Sequence, residues 1–309
     1  MANVSLRNLL EAGVHFGHQT RLWNPRMKPY IYGEKNGIHI IDIQATALAL
    51  VEATRFVSGV VSSGGTVLFV GTKRASRDIV ASESARVGMY YVNNRWMGGT
   101  LTNFQTVKKS IDQLVNLEKA RDEGRFELLI KKEALDLTRK INKMERALGG
   151  IKTMKGIPQV MFVVDPKREY IAVREAMKLG IPVVGLCDTN CNPEGITHVI
   201  PGNDDAIKSI QLFTAAIAEA CVEGVNVSRG RLESGTIVTS DDADLGDVEI
   251  YRRAAQAEDG EAEAAEAEAA PAEEAEAAPA EEAEAAPAEE AEAAPAEEAE
   301  AEEAEETKE

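Results

Sequence analysis

Long hydrophobic runs are missing from this 309-residue sequence. Stretches such as Val67-Leu68-Phe69-Val70 and Val160-Met161-Phe162-Val163-Val164 are short and bounded by glycine, proline or charge. None approaches the roughly 18 apolar residues that a membrane span needs. The opening MANVSLRNLLEAG lacks the basic segment, apolar stretch and small-residue site of a secretory leader. Cysteine is scarce: Cys187, Cys191 and Cys221 are an odd count without a disulfide framework, which fits a reducing cytoplasm. The usual catalytic spacings are also absent. There is no G-x-S-x-G elbow, no H-E-x-x-H, and no G-x-G-x-x-G after any strand. Gly71-Thr72-Lys73 is not a phosphate-binding loop, because Ser76 stands where the second glycine would fall and no Gly-Lys-Ser/Thr follows. Cys187-x-x-x-Cys191 has no second pair with which to complete a structural zinc knuckle.

What is present divides in two. From Ala254 to the end the chain is almost entirely alanine, glutamate and proline, and PAEEAEAA recurs at 271–278, 279–286 and 287–294. This tail holds 23 acidic residues and one lysine, a net of -22; the whole chain is -18, so residues 1–253 carry +4. The acidic isoelectric point belongs to the tail. Proline every eight residues interrupts helix, and no apolar face exists to repay ordering, so the tail is expected to be a disordered, solubilising brush.

The body is large enough for a sizeable core. Strand-like and helix-like segments alternate from Thr66–Val70 through Ser76–Arg86, Met89–Val92, Gln159–Val164, Glu169–Lys178, Ile181–Leu186 and Thr197–Ile200 to a closing helix at Asp204–Glu223. That order predicts an α/β domain, a doubly wound parallel sheet covered on both faces. Ahead of it, Ser5 caps a short helix, the stretch from His15 to Gly37 reads as irregular, and Gly37–Asp42 is a strand candidate. Between Thr102 and Leu148 the rhythm breaks into two charged amphipathic helices joined at Asp122–Arg125, an antiparallel coiled-coil hairpin. Its narrow apolar stripe and dense charge favour projection over packing flat on the sheet. The expected layout is 1–101 with 149–226 as the α/β domain, 102–148 as the hairpin insertion, 227–253 as an extension, and 254–309 as the tail.

Cationic groups interleave with aromatic and amide side chains at His15, His18, Arg21, Trp23, Asn24, Arg26, Lys28 and Tyr30, a composition suited to RNA. Arg21, Arg26 and Lys28 are candidate phosphate contacts, with Trp23 stacking or anchoring a loop. A second cluster, Lys73, Arg74 and Arg77 with Arg95 and Trp96, falls beyond strands at the carboxyl edge, where α/β folds place ligands. Hairpin cations (Lys108, Lys109, Lys131, Lys132, Arg139 and Lys143) make a third surface. Asp188, Asp204 and Asp205 lie just past candidate strands; if His18 folds over that edge, the four could hold a zinc or magnesium ion.

Several local patterns occur together and in order: Leu9-Leu10-Glu11-Ala12-Gly13-Val14-His15-Phe16-Gly17-His18, Trp23-Asn24-Pro25, Asn36 to Asp42, Phe69 to Lys73, Asn94-Arg95-Trp96-x-Gly98-Gly99-x-Leu101-Thr102-Asn103, Asp188-Thr189-Asn190 and Ile200 to Ala206. The series, spanning about residues 3–226, resembles the ribosomal protein S2 family of the bacterial small subunit. The resemblance implies a flavodoxin-like fold with an inserted coiled coil and no enzymatic activity or small-molecule substrate. It also implies partnership with small-subunit ribosomal RNA and with other small-subunit proteins, among them the large multi-domain one that captures messenger RNA. The tail is outside the shared pattern. On the residues alone, a nucleotide- or phosphosugar-using enzyme and a protein-docking module working through the hairpin stay open.

Overall fold

The computed structural model describes residues 5–234; the acidic tail and most of the 227–253 extension lie outside the described residues. Helix α1 (Leu6–Glu11) begins at Ser5, whose hydroxyl accepts from the Asn8 amide. The stretch that reads as irregular contains two strands. β1 (Phe16–Gln19), β2 (Ile31–Lys35) and β3 (Ile38–Ile41) form a small antiparallel sheet in the order β1-β3-β2. Both β1 and β2 pair with a shift in register, and a six-residue 3-10 turn from Pro25 to Tyr30 separates them, so neither shows regular alternation. The one local signal is Asn36-Gly37, with φ of 54° and 75°, the tight hairpin turn that this dipeptide favours.

The main sheet and its helices follow, in the order α2 (Ile43–Ser62), β4 (Val67–Val70), α3 (Arg77–Arg86), β5 (Tyr90–Val92), α4 (Phe104–Asp122), α5 (Lys131–Leu148), β6 (Val160–Val164), α6 (Tyr170–Leu179), β7 (Val183–Cys187), β8 (His198–Pro201) and α7 (Ile207–Ser234). Five strands pair in parallel in the order β5-β4-β6-β7-β8. Every residue of β4, β6 and β7 is buried, which is why these strands read as continuous apolar runs.

Alternate residues of those strands feed two cores. Val67, Phe69, Phe162, Val164 and Leu186 meet Leu50 and Val57 of α2 and Phe213 and Ile217 of α7. Leu68, Val70, Met161 and Val163 meet Ala172 and Ala176 of α6, together with Ile111, Leu114, Ile141 and Leu148 of the hairpin. Each such large side chain contributes about 1.5–3 kcal/mol on burial. The hairpin root therefore packs into the domain, while Leu128 (89 % exposed) and Ile130 (72 %) stand in solvent at its far end. By length and composition α2 and α7 are apolar enough to cross a membrane, each with a mean hydropathy of 1.3, contrary to the reading of the runs alone. Here their apolar stripes close the first core.

Candidate functional site

Strand order reverses between β4 and β6. Connections leave β4 toward β5 and leave β6 toward β7, opening a crevice at the carboxyl ends. The loops after β4, β6, β7 and β8 bring Lys73, Asp165, Asp188, Asp204 and Asp205 to that edge. The small sheet delivers His18, whose backbone amide donates to Thr189 Oγ1 at 3.0 Å. His18 Nδ1 lies 2.9 Å from Asp188 Oδ2, and Nε2 lies 3.4 Å from Asp205 Oδ2. Lys73 Nζ reaches Asp204 Oδ1 at 2.8 Å, Asp205 Oδ1 at 2.5 Å and Asp165 Oδ2 at 4.0 Å.

Four carboxyl groups against one lysine and one imidazole leave this edge rich in negative charge. Burial, with Asp165 and Asp188 nearby, pushes the Asp204 carboxyl up to about 7, despite Lys73. Contact with Asp188 raises the His18 imidazole above its ordinary value. Burial alone would lower the Lys73 ammonium, but Asp204 and Asp205 together outweigh it and raise it. Asp204 Oδ2 is buried without a hydrogen-bond partner, and Asp188 Oδ2 has only the His18 ring against it. Two overlapping donor sets result: His18, Asp188 and Asp204, and Asp165, Cys191 and Asp204, each with ligand atoms within 4.8 Å of one another. The four residues singled out from the sequence converge; Asp165 and Cys191 were not singled out for this edge. Asp165 carries a signal only in three dimensions, a left-handed φ of 59° at the end of β6.

The cationic candidates divide by environment. Arg21, Lys28, Arg74, Arg95, Lys108 and Lys109 are exposed and, among the described residues, have no carboxylate at ion-pair distance. Arg26 is exposed but pairs with Glu194 and donates to Asn192 Oδ1 at 3.2 Å. Arg77 is half-buried and donates from Nε to the Thr72 carbonyl at 3.0 Å. The Lys73 ammonium faces the aspartates described above. Trp23 is 37 % exposed, its ring 5.4 Å from that of His39. Trp96 is only 6 % exposed, so it anchors its loop and offers no open face for a base to stack on.

What Trp96 anchors to is Glu175 on α6. This buried carboxylate accepts from Trp96 Nε1 (3.1 Å), Gly99 N (2.7 Å), Leu101 N (3.0 Å), Thr102 N (3.1 Å) and Thr102 Oγ1 (3.2 Å). Burial would raise its pKa, but these donors together outweigh burial and hold it below the ordinary glutamate value. The loop from β5 into the hairpin is thus tied to α6 by one side chain. The available sequence signal is a glutamate among Ala172, Val173 and Ala176 on the buried face of an amphipathic helix.

A family profile described as Ribosomal protein S2 matches residues 9–224. The small ribosomal subunit protein uS2 of Sorangium cellulosum is 54 % identical over 230 residues, 74 % of this chain and 83 % of that protein. Its counterpart of the same name in Geotalea uraniireducens is 54 % identical over 236 residues, 76 % of this chain and 92 % of its own length. That of Solidesulfovibrio magneticus is 56 % identical over 224 residues, covering 72 % and 87 %.

Proposed function

Since this chain belongs to the ribosomal protein S2 family, structural and non-enzymatic constituents of the small ribosomal subunit in the cytoplasm, we propose that it grips ribosomal RNA through the exposed cations flanking its sheet edge, and neighbouring proteins through its hairpin. The strand order supports naming the domain flavodoxin-like and doubly wound, with 102–148 as an insertion. The single observation that carries the RNA reading is that Arg21, Lys28, Arg74 and Arg95 are exposed and, among the described residues, have no carboxylate at ion-pair distance. Nearby carboxylates occupy Lys73. The acidic edge also argues against a phosphate-bearing substrate in the crevice, since four carboxyl groups would repel it. The body's +4 is modest for an RNA binder, which supports a large share of contact with other small-subunit proteins, including the one that captures messenger RNA. Sedimentation of a cell extract tests this reading. The full chain is expected to co-migrate with small subunits at low salt and to be stripped progressively as salt rises; a pool wholly free of ribosomal particles overturns it.

His18, Asp188 and Asp204, supported by Asp205, fit a zinc ion better than magnesium. An imidazole among carboxylates suits zinc, whereas magnesium favours oxygen alone. The buried Asp204 Oδ2 without a partner is the observation that supports it. Asp204 must lose its proton to ligate, and His18, whose pKa Asp188 raises, must be neutral, so zinc affinity should fall by between about tenfold and a hundredfold per pH unit below 7. Because the folded pKa lies above the ordinary 3.8 even with Lys73 alongside, this carboxyl without a bound metal lowers stability as pH rises from about 4 to 7, and zinc should reverse that. For metal-stripped full-length protein at pH 7.5, zinc at a hundred times Kd should add about 2.7 kcal/mol of stability. Asp204→Asn should abolish the gain; a melting temperature indifferent to zinc in the parent protein sinks the site.

A further inference from the structure

A cleft of about 540 Å³ opens between α6, the loop after β6 and the loop between β7 and β8. We propose that it holds one unstacked purine of an RNA strand, an inference that rests on the RNA-binding reading above. Its wall is Tyr170, 53 % exposed, with the Arg174 guanidinium 5.7 Å from the ring centroid. An exposed tyrosine with a guanidinium on its ring is a platform on which a base stacks. Lys167 and Arg174 add positive charge for the flanking phosphates. The acid at the cleft, Glu194, is already paired with Arg26.

Asn24, Asn190 and Asn192 bring three amides to the same cleft, the oxygens of Asn24 and Asn192 already accepting from Arg26. An asparagine amide can donate to adenine N7 and accept from its 6-amino group at once, which favours a purine over a pyrimidine. Asn190 Oδ1 is buried and has no hydrogen-bond partner, so part of this amide set is unmatched by the protein. The loop also packs closely against α6. Gly195 has φ of 83°, a conformation that L side chains rarely adopt, and a side chain there would also displace the end of Met177, so glycine favours this close fit against α6. The volume is in the range of small-ligand sites. Pro166, Val173 and Met177 also line the cleft, but its aromatic face, amides and cations together match a base with its flanking phosphates, and this favours RNA over protein as occupant.

The test is fluorescence anisotropy with the full-length protein, a labelled hexauridylate, and the same strand carrying one central adenosine. The adenosine strand is expected to bind more tightly. Tyr170→Ala should weaken it about 5- to 150-fold, the range for loss of one base–aromatic stack, whereas Tyr170→Phe should retain it and Leu48→Ala on α2 should leave it unchanged. Adenosine monophosphate should not displace the strand at comparable concentration; displacement there would make the ligand a free nucleotide and overturn the assignment to RNA. Equal binding of both strands, or no effect of Tyr170→Ala while the strand still binds, overturns the pocket alone. No binding of ribosomal RNA by the parent protein at low salt would instead remove the reading beneath it.

Discussion

Replacing Glu175 with alanine is expected to lower the stability of the α/β domain by about 3–5 kcal/mol, the usual consequence of removing one partner from a buried charged network. For a domain of this size the melting temperature should fall by roughly 6–20 °C. The carboxylate accepts hydrogen bonds from three backbone amides, an indole and a hydroxyl, all near Trp96–Thr102. Without it the buried donors Trp96 Nε1 and Leu101 N are left unmatched, each at about 1–3 kcal/mol, while the half-buried donors of Gly99 and Thr102 can turn to water. Glu175→Gln should recover only part of the loss, because its amide offers one acceptor and turns a donor toward the other amides. The pH dependence has a definite sign. The folded pKa lies below the ordinary value, so the contribution is complete above about 4.5 and is lost as pH falls through the folded value. Thermal melts of parent and both variants from pH 3 to 7 would show it; an alanine variant as stable as the parent would refute the latch.

A triple charge reversal, Arg21→Glu, Lys28→Glu and Arg95→Glu, should weaken binding to small-subunit ribosomal RNA by about 10²–10³-fold in 0.1 M salt. Removing one phosphate-neutralising cation flattens the slope of log affinity against log salt by about 0.7–0.9, so three such removals take about 2–3 from it. Lys73→Gln should leave that slope unchanged, since Asp204 and Asp205 already hold the ammonium. Filter binding across a salt series separates the two. If the reversal left the slope intact, phosphate binding would have to reside elsewhere, and the hairpin lysines Lys108 and Lys109 would be the next to test.

The sequence made the alternation of elements legible because β4, β6 and β7 are buried throughout and so read as solid apolar runs. The hairpin was legible for the opposite reason, a narrow stripe among charges, although its bounds shifted to Phe104–Asp122 and Lys131–Leu148. β1 and β2 escaped because bulged pairing erases alternation and leaves only the Asn36-Gly37 turn to report them. At the sheet edge, His18, Asp188, Asp204 and Asp205 were recognisable from ligand chemistry placed after strands. The loss of Lys73 to carboxylates was not, since its partner Asp204 lies 131 residues away. Glu175 likewise satisfies groups more than 70 residues distant. Chemistry between loops is set by the fold, and local spacing carries little trace of it.

The central pairing of β4 with β6 fixes the order in which this chain can fold during its own synthesis. Thr66 and Gln159, which clasp the start of that pairing, are 93 residues apart. At about 5–20 residues per second the first of these strands waits on the order of 5–20 s for its neighbour. Throughout that wait β4 has an uncovered hydrogen-bonding edge, while the hairpin between them can form from local contacts. The nascent polypeptide therefore emerges with its helical arm complete before its sheet has a middle.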